Sequence, residues 1–290
     1  MTNICQPPDP NPRLPRLQCP PNATDCHLHI LGPKDKYPEV PNARYTAPDA
    51  LPDACRHLHD ILGIQRVVLV QPNPYGLDNR CQIDALAEMG RPARAVVILS
   101  PDTPDSELRQ LHKAGVRGVR FVIGSPRGPS IKEIDCFAHR LRPLGWHIQL
   151  QVLPEDESNP LVGLEAILTN LATDIVIDHM ATVRVADGVQ QPNFQVLCRL
   201  LRGGRCWVKL SAGNRLSAEP PPYKDLIPFV QSLVAIRSDR LVWGSDWPHV
   251  NFKATMPNTT DLLDCLLHWV PDPEIRRCIL ADNPTALYGF

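Results

Sequence analysis

Two histidines near the start of the chain, His27 and His29, are the first candidates for chemistry. They lie one residue apart in the stretch Thr24–Ile30, which we predict to be a β-strand. Because side chains alternate faces along a strand, both imidazoles would project from one face, with Cα atoms about 6–7 Å apart. Two such imidazoles can supply half of a metal site or a pair of groups around a reacting carbonyl.

Spacing alone is weak evidence, because His57 and His59 repeat it elsewhere in the chain. That second pair lies in a helical pattern, where side chains two residues apart diverge by about 200° and cannot meet on one ligand. Other reactive groups must therefore reach the same place as the first pair. We interpret the helical histidines as surface or amphipathic residues: His57, His59, His112, His139 and His268.

Length and composition point to a large globular domain. The chain has 290 residues, 43% of them hydrophobic, and a formal net charge of −1. Such a chain can bury a sizeable core, and α/β barrels of this length are often single domains. The small net charge offers no electrostatic reason to expect nucleic acid or a membrane surface as a partner. No run of about 18 apolar residues occurs, so we expect no membrane span. The oligomeric state is left open.

Cysteine placement and the N-terminal composition indicate the compartment. Most of the ten cysteines lie inside apolar strand and helix patterns, and no C-x-x-C occurs. The N-terminal residues contain no apolar segment like that of a secretory signal peptide. We therefore expect reduced thiols and a cytoplasmic location.

Residues 1–23 are rich in proline and lack periodicity. We predict that they form an extension lying over a domain that spans residues 24–290.

Eight short apolar runs alternate with helical patterns along that domain. Near-continuous apolar runs are typical of parallel strands covered on both faces. Strict alternation of strand and helix predicts a single (β/α)8 TIM barrel with an extra C-terminal helix. A doubly wound open sheet is the alternative, although the chain lacks the glycine-rich nucleotide-binding motifs of that fold. The predicted strands are Thr24–Ile30, Ile64–Gln71, Ala93–Leu99, Val116–Ile123, Trp146–Val152, Ile175–Asp178, Cys206–Ser211 and Leu241–Asp246.

Polar residues cluster at the carboxyl ends of these strands, which is where barrel active sites are built. His179 follows strand six, and Asp246 ends strand eight. Together with His27 and His29 they could hold a Zn²⁺ ion that lowers the pKa of a bound water. Alternatively, the imidazoles polarise a carbonyl while Asp246 takes a proton from water. Either arrangement is hydrolytic.

Other polar groups at these ends are Asn73, Arg120, Arg127, Gln149, Gln151, Asp178, Lys209, Ser211, Arg215 and His249, with Tyr45 in the first loop.

Four motifs in order carry a family resemblance. They are D-C-H-L-H-I-x-G from Asp25, I-D-H-M from Ile177, W-G-S-D-W-P-H from Trp243, and I-L-A-D-N-P-T-A-L-Y-G-F from Ile279. With them, residues 24–290 resemble the amidohydrolase-related TIM-barrel proteins. Within that family they are similar to the 2-pyrone-4,6-dicarboxylate lactonase and sulfomuconolactone hydrolase group, which breaks down aromatic compounds.

The resemblance implies an enzyme that hydrolyses a small anionic lactone. It implies a reaction centre of His27, His29, His179 and Asp246, which are also the ligands if a single Zn²⁺ is bound. Members of this group resemble both zinc enzymes and metal-free hydrolases, so both mechanisms stay open. The substrate carboxylates would be bound by arginines, whose guanidinium groups match a carboxylate bidentately. The resemblance implies Arg120, Arg127 and Arg215 for this role, and we predict that Tyr45, Gln151 and Asn73 also bind the substrate.

The sequence departs from the family pattern at two points, and three other functions remain as alternatives to a lactone hydrolase. Gln149 and Gln151 stand on strand five, where the wider superfamily often has a histidine. This argues against a binuclear centre. The pyrone lactonases resembled here carry a tyrosine where we find Gln151, which bears on the pyrone dicarboxylate as substrate but not on a carboxylated lactone. A decarboxylase, a lactone isomerase and a non-catalytic carboxylate-binding barrel are the alternatives.

Overall fold

Eight parallel strands form the centre of the molecule. The computed structural model describes residues 3–41, 43–123, 125, 128–153 and 160–290. Each strand pairs in parallel with the next one along the chain, in the order β1 to β8. The predicted barrel strands are confirmed, although three of the four reactive residues, His29, His179 and Asp246, lie just beyond the ends of their strands. The strands are β1 Thr24–Leu28, β2 Arg66–Val70, β3 Ala93–Val97, β4 Val116–Val122, β5 His147–Gln151, β6 Ile175–Ile177, β7 Cys206–Leu210 and β8 Leu241–Trp243.

The barrel closes between its first and last strands. The backbone N–H of Asp246 donates to the carbonyl of His27 at 2.8 Å, and that of His29 donates to Trp247 at 2.8 Å. These bonds join the segment after β8 to β1, so the sheet curves round on itself and is not the open doubly wound alternative. They also hold His27, His29 and Asp246 beside one another at this junction between the first and last strands, which we call the closing seam.

Residues alternate between two apolar layers along each strand. On β2, Val67 and Leu69 belong to the core that lies beneath the surrounding helices. Val68 and Val70 join a second cluster inside the barrel, which Leu287 and Tyr288 of the last helix complete. This period of two is what a parallel strand covered on both faces requires. The same alternation turns the polar side chains of β4, β5 and β7 into the barrel interior.

The helices surround the barrel. The predicted helix over Pro273–Tyr288 is interrupted by a π-helical turn at Cys278–Asp282. Pro284 follows this turn and lacks the N–H that a regular helix would use, which accounts for the irregular hydrogen bonding. The helices are α1 Pro52–Leu62, α2 Arg80–Glu88, α3 Asp105–Ala114, α4 Ile134–Leu141, α5 Pro160–Asn170, α6 Pro192–Arg202, α7 Gly213–Leu216, α8 Ile227–Arg237, α9 Thr259–Asp264, α10 Leu266–Trp269, α11 Pro273–Arg277 and α12 Asn283–Tyr288.

The N-terminal segment is attached to the barrel at two places. Asn3–Ile4 pairs in parallel with Tyr45–Thr46 in the loop after β1. The carboxylate of Asp264 accepts the backbone N–H groups of Arg16 and Leu17 at 2.9–3.2 Å. The proposed boundary at residue 23 stays a prediction. Among the helices of the described ranges, none is both long and apolar enough to cross a membrane.

A buried ion pair lies at the closing seam. Asp25 Oδ1 accepts the N–H groups of His27 at 3.1 Å and Ser245 at 2.9 Å. Its Oδ2 lies 3.1 Å from His59 Nε2, and both side chains are fully buried. The interpretation of His59 as a surface or amphipathic residue was therefore wrong, whereas His57 is exposed. Burial alone would lower the pKa of His59, but Cys55 and Asp25 outweigh it and raise the pKa to about 10.

We expect Asp25→Asn to lower the free energy of unfolding by about 3–5 kcal/mol, because it leaves a buried imidazolium without its counter-charge. The measurement is denaturant unfolding near pH 7. The matched control is Asp60→Asn, which removes a carboxylate that is 72% exposed and paired with Arg91 at 2.7 Å. An ion pair whose carboxylate is exposed to solvent in this way contributes about 0–1 kcal/mol. Equal effects of the two substitutions would contradict a structural role for the seam pair.

Candidate active site

A cavity of about 300 Å³ opens at the carboxyl ends of the strands. This is the end of a TIM barrel at which active sites lie. His27 lies just beneath the cavity and is fully buried. Arg127 falls outside the described residues. The other residues predicted from sequence line the cavity walls: His29, Tyr45, Asn73, Arg120, Gln151, His179, Arg215 and Asp246.

Three imidazoles converge on one carboxylate oxygen. The Nε2 atoms of His27 and His29 lie 3.7 Å from Asp246 Oδ1. Nε2 of His179 lies 3.8 Å from the same oxygen. The ring centres of His27 and His179 are 4.7 Å apart. Reactive residues at the ends of β1, β6 and β8 therefore meet at one point. Sequence analysis had required such additional groups beside the His27–His29 pair.

Strained backbone places two of these four side chains. His179 begins a run of residues with positive φ that continues to Thr182, and Asp246 has φ of 60°. Non-glycine residues rarely adopt this left-handed conformation, which costs about 1–2 kcal/mol per residue. Such strain persists where the surrounding structure over-determines the conformation. Here the hydrogen bonds at the closing seam hold the conformation of Asp246. Burial of the turn after β6 holds the conformation of His179.

The Nδ1 atom of each histidine has a partner that orients the ring. His29 Nδ1 lies 2.7 Å from the carbonyl oxygen of Val70. Since a carbonyl only accepts hydrogen bonds, Nδ1 carries a proton and the ring is oriented with Nε2 toward the cavity. His179 Nδ1 lies 2.8 Å from Ser211 Oγ, a hydroxyl that can either donate or accept.

A buried charged network lies beneath the histidines. Asp178 Oδ2 accepts Gln149 Nε2 at 3.0 Å and Arg120 Nη2 at 3.3 Å. Asp178 Oδ1 lies 3.2 Å from His27 Nδ1 and 3.3 Å from Lys209 Nζ. Lys209 Nζ also donates to Gln149 Oε1 at 2.8 Å. Sequence analysis found these side chains at strand ends but had no signal that they form a network.

Burial and neighbouring charges shift the pKa values of the central groups. Burial would raise the pKa of the Asp246 carboxyl, but Arg215 and the imidazoles hold it well below its usual value. Burial lowers the pKa of His179 to about 4. Burial, and then the Lys209 charge, lower the pKa of His27 well below its usual value. At neutral pH the centre therefore combines an ionised Asp246 carboxylate with neutral imidazoles at His27 and His179.

Cationic side chains surround the cavity. Arg215 Nε donates to Asp246 Oδ2 at 2.9 Å, and its Nη2 donates to the carbonyl of Val250 at 2.7 Å. Arg120 Nη1 donates to the carbonyl of Gln71 at 2.9 Å. Arg44 and Lys253 also line the cavity. Sequence analysis did not assign these last two, because they lie in irregular loops outside the strand ends that guided it.

The four central residues fit a zinc ion by type and convergence. Three imidazole nitrogens and one carboxylate oxygen belong to the donor classes that Zn²⁺ takes in catalytic sites. The donor atoms of His27, His29 and Asp246 all lie within 4.8 Å of one another. Within the described residues, His27 Nε2 is buried and has no hydrogen-bond partner. A cation at the convergence point could instead be coordinated by this nitrogen.

The family model described as amidohydrolase matches residues 24–290. The chain belongs to the amidohydrolase family. It is 36% identical to a 2-pyrone-4,6-dicarboxylate hydrolase of Comamonas testosteroni, over 96% of this chain and 93% of that protein. It is also 36% identical to a 4-sulfomuconolactone hydrolase of Hydrogenophaga intermedia, over 94% of this chain and 91% of that protein. We conclude that this family member is an enzyme.

Two further similarities bear on the reaction and the fold. A D-galactarolactone isomerase of Agrobacterium fabrum is 31% identical, over 96% of this chain and 93% of that protein. A solved structure of a probable 2-pyrone-4,6-dicarboxylic acid hydrolase from Acinetobacter baumannii contains bound citric acid. It matches with a TM-score of 0.81 and 26% identity, over 93% of this chain and 100% of that chain. The relatives that are named for a reaction include both hydrolases and an isomerase.

Proposed function

We propose that this amidohydrolase hydrolyses a small carboxylated lactone. The observation that carries the proposal is the meeting of three imidazole Nε2 atoms with Asp246 Oδ1, at 3.7–3.8 Å, at the base of a cavity lined by arginines. The carboxylate can accept a proton from water, and an imidazole N–H group that faces the cavity can stabilise charge on a carbonyl oxygen. The names of the two hydrolase relatives add the substrate class, since both act on lactones that carry acidic groups.

In the proposed reaction, Asp246 Oδ1 takes a proton from water as the water oxygen attacks the lactone carbonyl carbon. The low pKa of Asp246 makes it a weak base, so proton transfer must accompany the formation of the C–O bond. Negative charge develops on the carbonyl oxygen beside the imidazoles. The tetrahedral intermediate then expels the ring oxygen, which receives the proton from Asp246. The product is the open hydroxy- or keto-acid.

Substrate anions are bound by the cationic side chains around the cavity. Arg120 and Arg215 are each oriented by two hydrogen bonds to the protein, which lowers the entropy lost on binding a carboxylate. Arg44 and Lys253 add positive charge to the lining. Among the described residues of the lining, Asp246 alone carries a carboxylate, so this part of the cavity favours a substrate with more than one negative charge.

A single Zn²⁺, where bound, would be held by His27, His29, His179 and Asp246 and would lower the pKa of the attacking water. The chain's own residues would bind and orient the lactone in the same way. Elemental analysis of the purified protein, with activity measured before and after chelation, distinguishes the two mechanisms. Zinc near one equivalent together with loss of activity on chelation identifies the metal-dependent one.

The reaction is tested on a panel of carboxylated lactones in water enriched in ¹⁸O, with the products followed by NMR and mass spectrometry. Hydrolysis predicts an open acid with one ¹⁸O atom in its new carboxylate. A product with the mass of the substrate would favour the isomerase alternative, which the isomerase relative supports. Release of carbon dioxide would indicate a decarboxylase. Ligand-induced stabilisation without turnover would indicate a binding protein, and any of these three outcomes contradicts the proposal.

A further inference from the structure

Cys5, in the N-terminal segment, contacts two of the loops that line the cavity. Its backbone N–H donates to the carbonyl of Thr46, in the loop after β1, at 2.8 Å. Its Sγ atom accepts the backbone N–H of Asn251, in the loop after β8, at 3.0 Å. The Cys5 side chain is buried. One residue of the N-terminal segment therefore joins the first and the last of the loops that follow barrel strands.

The loop after β8 supports the guanidinium group of Arg215. Arg215 Nη2 donates to the carbonyl of Val250 at 2.7 Å. The guanidinium carbon lies 5.6 Å from the centre of the Phe252 ring, within the range of a cation–π interaction. Val250, Asn251 and Phe252 all line the cavity. Asn251, whose N–H Cys5 accepts, therefore lies between the two residues that orient Arg215.

The backbone of this loop needs support from outside. Asn251 has φ of 57°, and His249 two residues earlier has φ of 60°. Residues other than glycine seldom adopt this left-handed conformation, which persists where the surrounding structure over-determines it. Burial raises the pKa of the Cys5 thiol, so at neutral pH it is an uncharged group whose sulfur can accept an N–H. The contact with Cys5 is one of the constraints that hold Asn251.

We propose that Cys5 is a positioning residue for substrate binding. By accepting the N–H of Asn251, it holds the loop after β8 in the conformation in which Val250 and Phe252 orient Arg215. Cys5 is not among the residues that line the cavity, so it acts through this loop. The effect on the substrate rests on the proposed function, in which Arg215 binds an anionic group. The effect on the loop does not.

Amide hydrogen exchange of the full chain, followed by mass spectrometry, measures the effect on the loop without a substrate. Cys5→Ala removes the sulfur but keeps the backbone N–H that donates to Thr46. We expect exchange about 3- to 10-fold faster in residues 249–253, the range that the loss of one neutral hydrogen bond gives. Exchange in residues 43–47 should stay unchanged, whereas a general loss of stability would speed exchange in both segments.

Two variants serve as controls. Cys5→Ser should keep the wild-type exchange rates, because its hydroxyl oxygen can accept the same N–H. Cys19→Ala removes another thiol of the N-terminal segment, which packs against the apolar core and does not line the cavity. It should leave exchange in residues 249–253 unchanged.

Steady-state kinetics then measure the effect on substrate binding. Cys5→Ala should raise KM for a dianionic lactone by about 3- to 10-fold, and Cys5→Ser should restore it. A merely structural role would lower the folded fraction, and with it the apparent kcat, while KM stayed the same. Unchanged exchange in residues 249–253 of folded Cys5→Ala would overturn the proposal, and so would faster exchange with an unchanged KM. A wild-type protein that hydrolyses no lactone would refute the proposed function, while the exchange rates would still decide whether Cys5 holds the loop.

Discussion

Asp246→Asn is expected to lower kcat by about 10³-fold or more, within the range by which general base catalysis accelerates reactions. The amide has the shape of the carboxylate, and its oxygen can still accept Arg215 Nε, which now donates to Oδ2 at 2.9 Å. Its nitrogen can take the position of Oδ1 beside the three imidazoles. The fold should therefore persist while the proton acceptor is lost. Turnover is measured on the best lactone of the panel, and circular dichroism and thermal unfolding report on the fold.

The control for this substitution is Asp239→Asn. Asp239 forms an exposed pair with Arg237 at 2.6 Å, far from the strand ends that form the cavity. It should leave kcat unchanged. If Asp246→Asn kept a tenth or more of the wild-type kcat in a folded protein, the assignment of Asp246 as the proton acceptor would be wrong. This conclusion holds with or without a metal, since a zinc site would also lose its carboxylate ligand.

Arg215→Met and Arg120→Met are expected to raise KM for a dianionic lactone by about 10- to 150-fold, which corresponds to about 1.5–3 kcal/mol for one charged hydrogen bond. A monoanionic or neutral lactone should be affected less. Arg215 also donates a hydrogen bond to Asp246, the proposed proton acceptor. Arg215→Met should therefore lower kcat as well. Arg120 contacts Asp178 instead of Asp246, so the change in Arg120→Met should be mainly in KM.

The measurement is steady-state kinetics on pairs of lactones that differ by one carboxylate. Arg237→Met, which removes a guanidinium from the exposed pair with Asp239, is the control for loss of positive charge alone. Arg215→Lys keeps the charge but not the planar fork, and should recover only part of the affinity. Equal increases in KM for dianionic and neutral lactones would show that these arginines do not bind the second anionic group.

The sequence by itself determined the barrel and the positions from which its reactive groups project. Alternation of apolar runs with helical patterns is a local property, and it predicted all eight strands in order. The rule that barrel sites lie at the carboxyl ends of strands then selected His27, His29, His179 and Asp246, which meet in the structure. A local pattern was sufficient to select these four residues, because the residues of a strand also determine where its carboxyl end lies.

Pairings between distant elements were decided only by the tertiary structure. His59 has the helical spacing of a surface residue, yet the closing of the barrel buries it against Asp25, 34 positions away. Arg44 and Lys253 reach the cavity from loops without periodicity, so no pattern marks them. Lys209 and His27, 182 positions apart, come within 3.2 Å only when the sheet curves round on itself. Residue types and periods determine which elements form, whereas the partners of His27 depend on which side chains the closed barrel brings together.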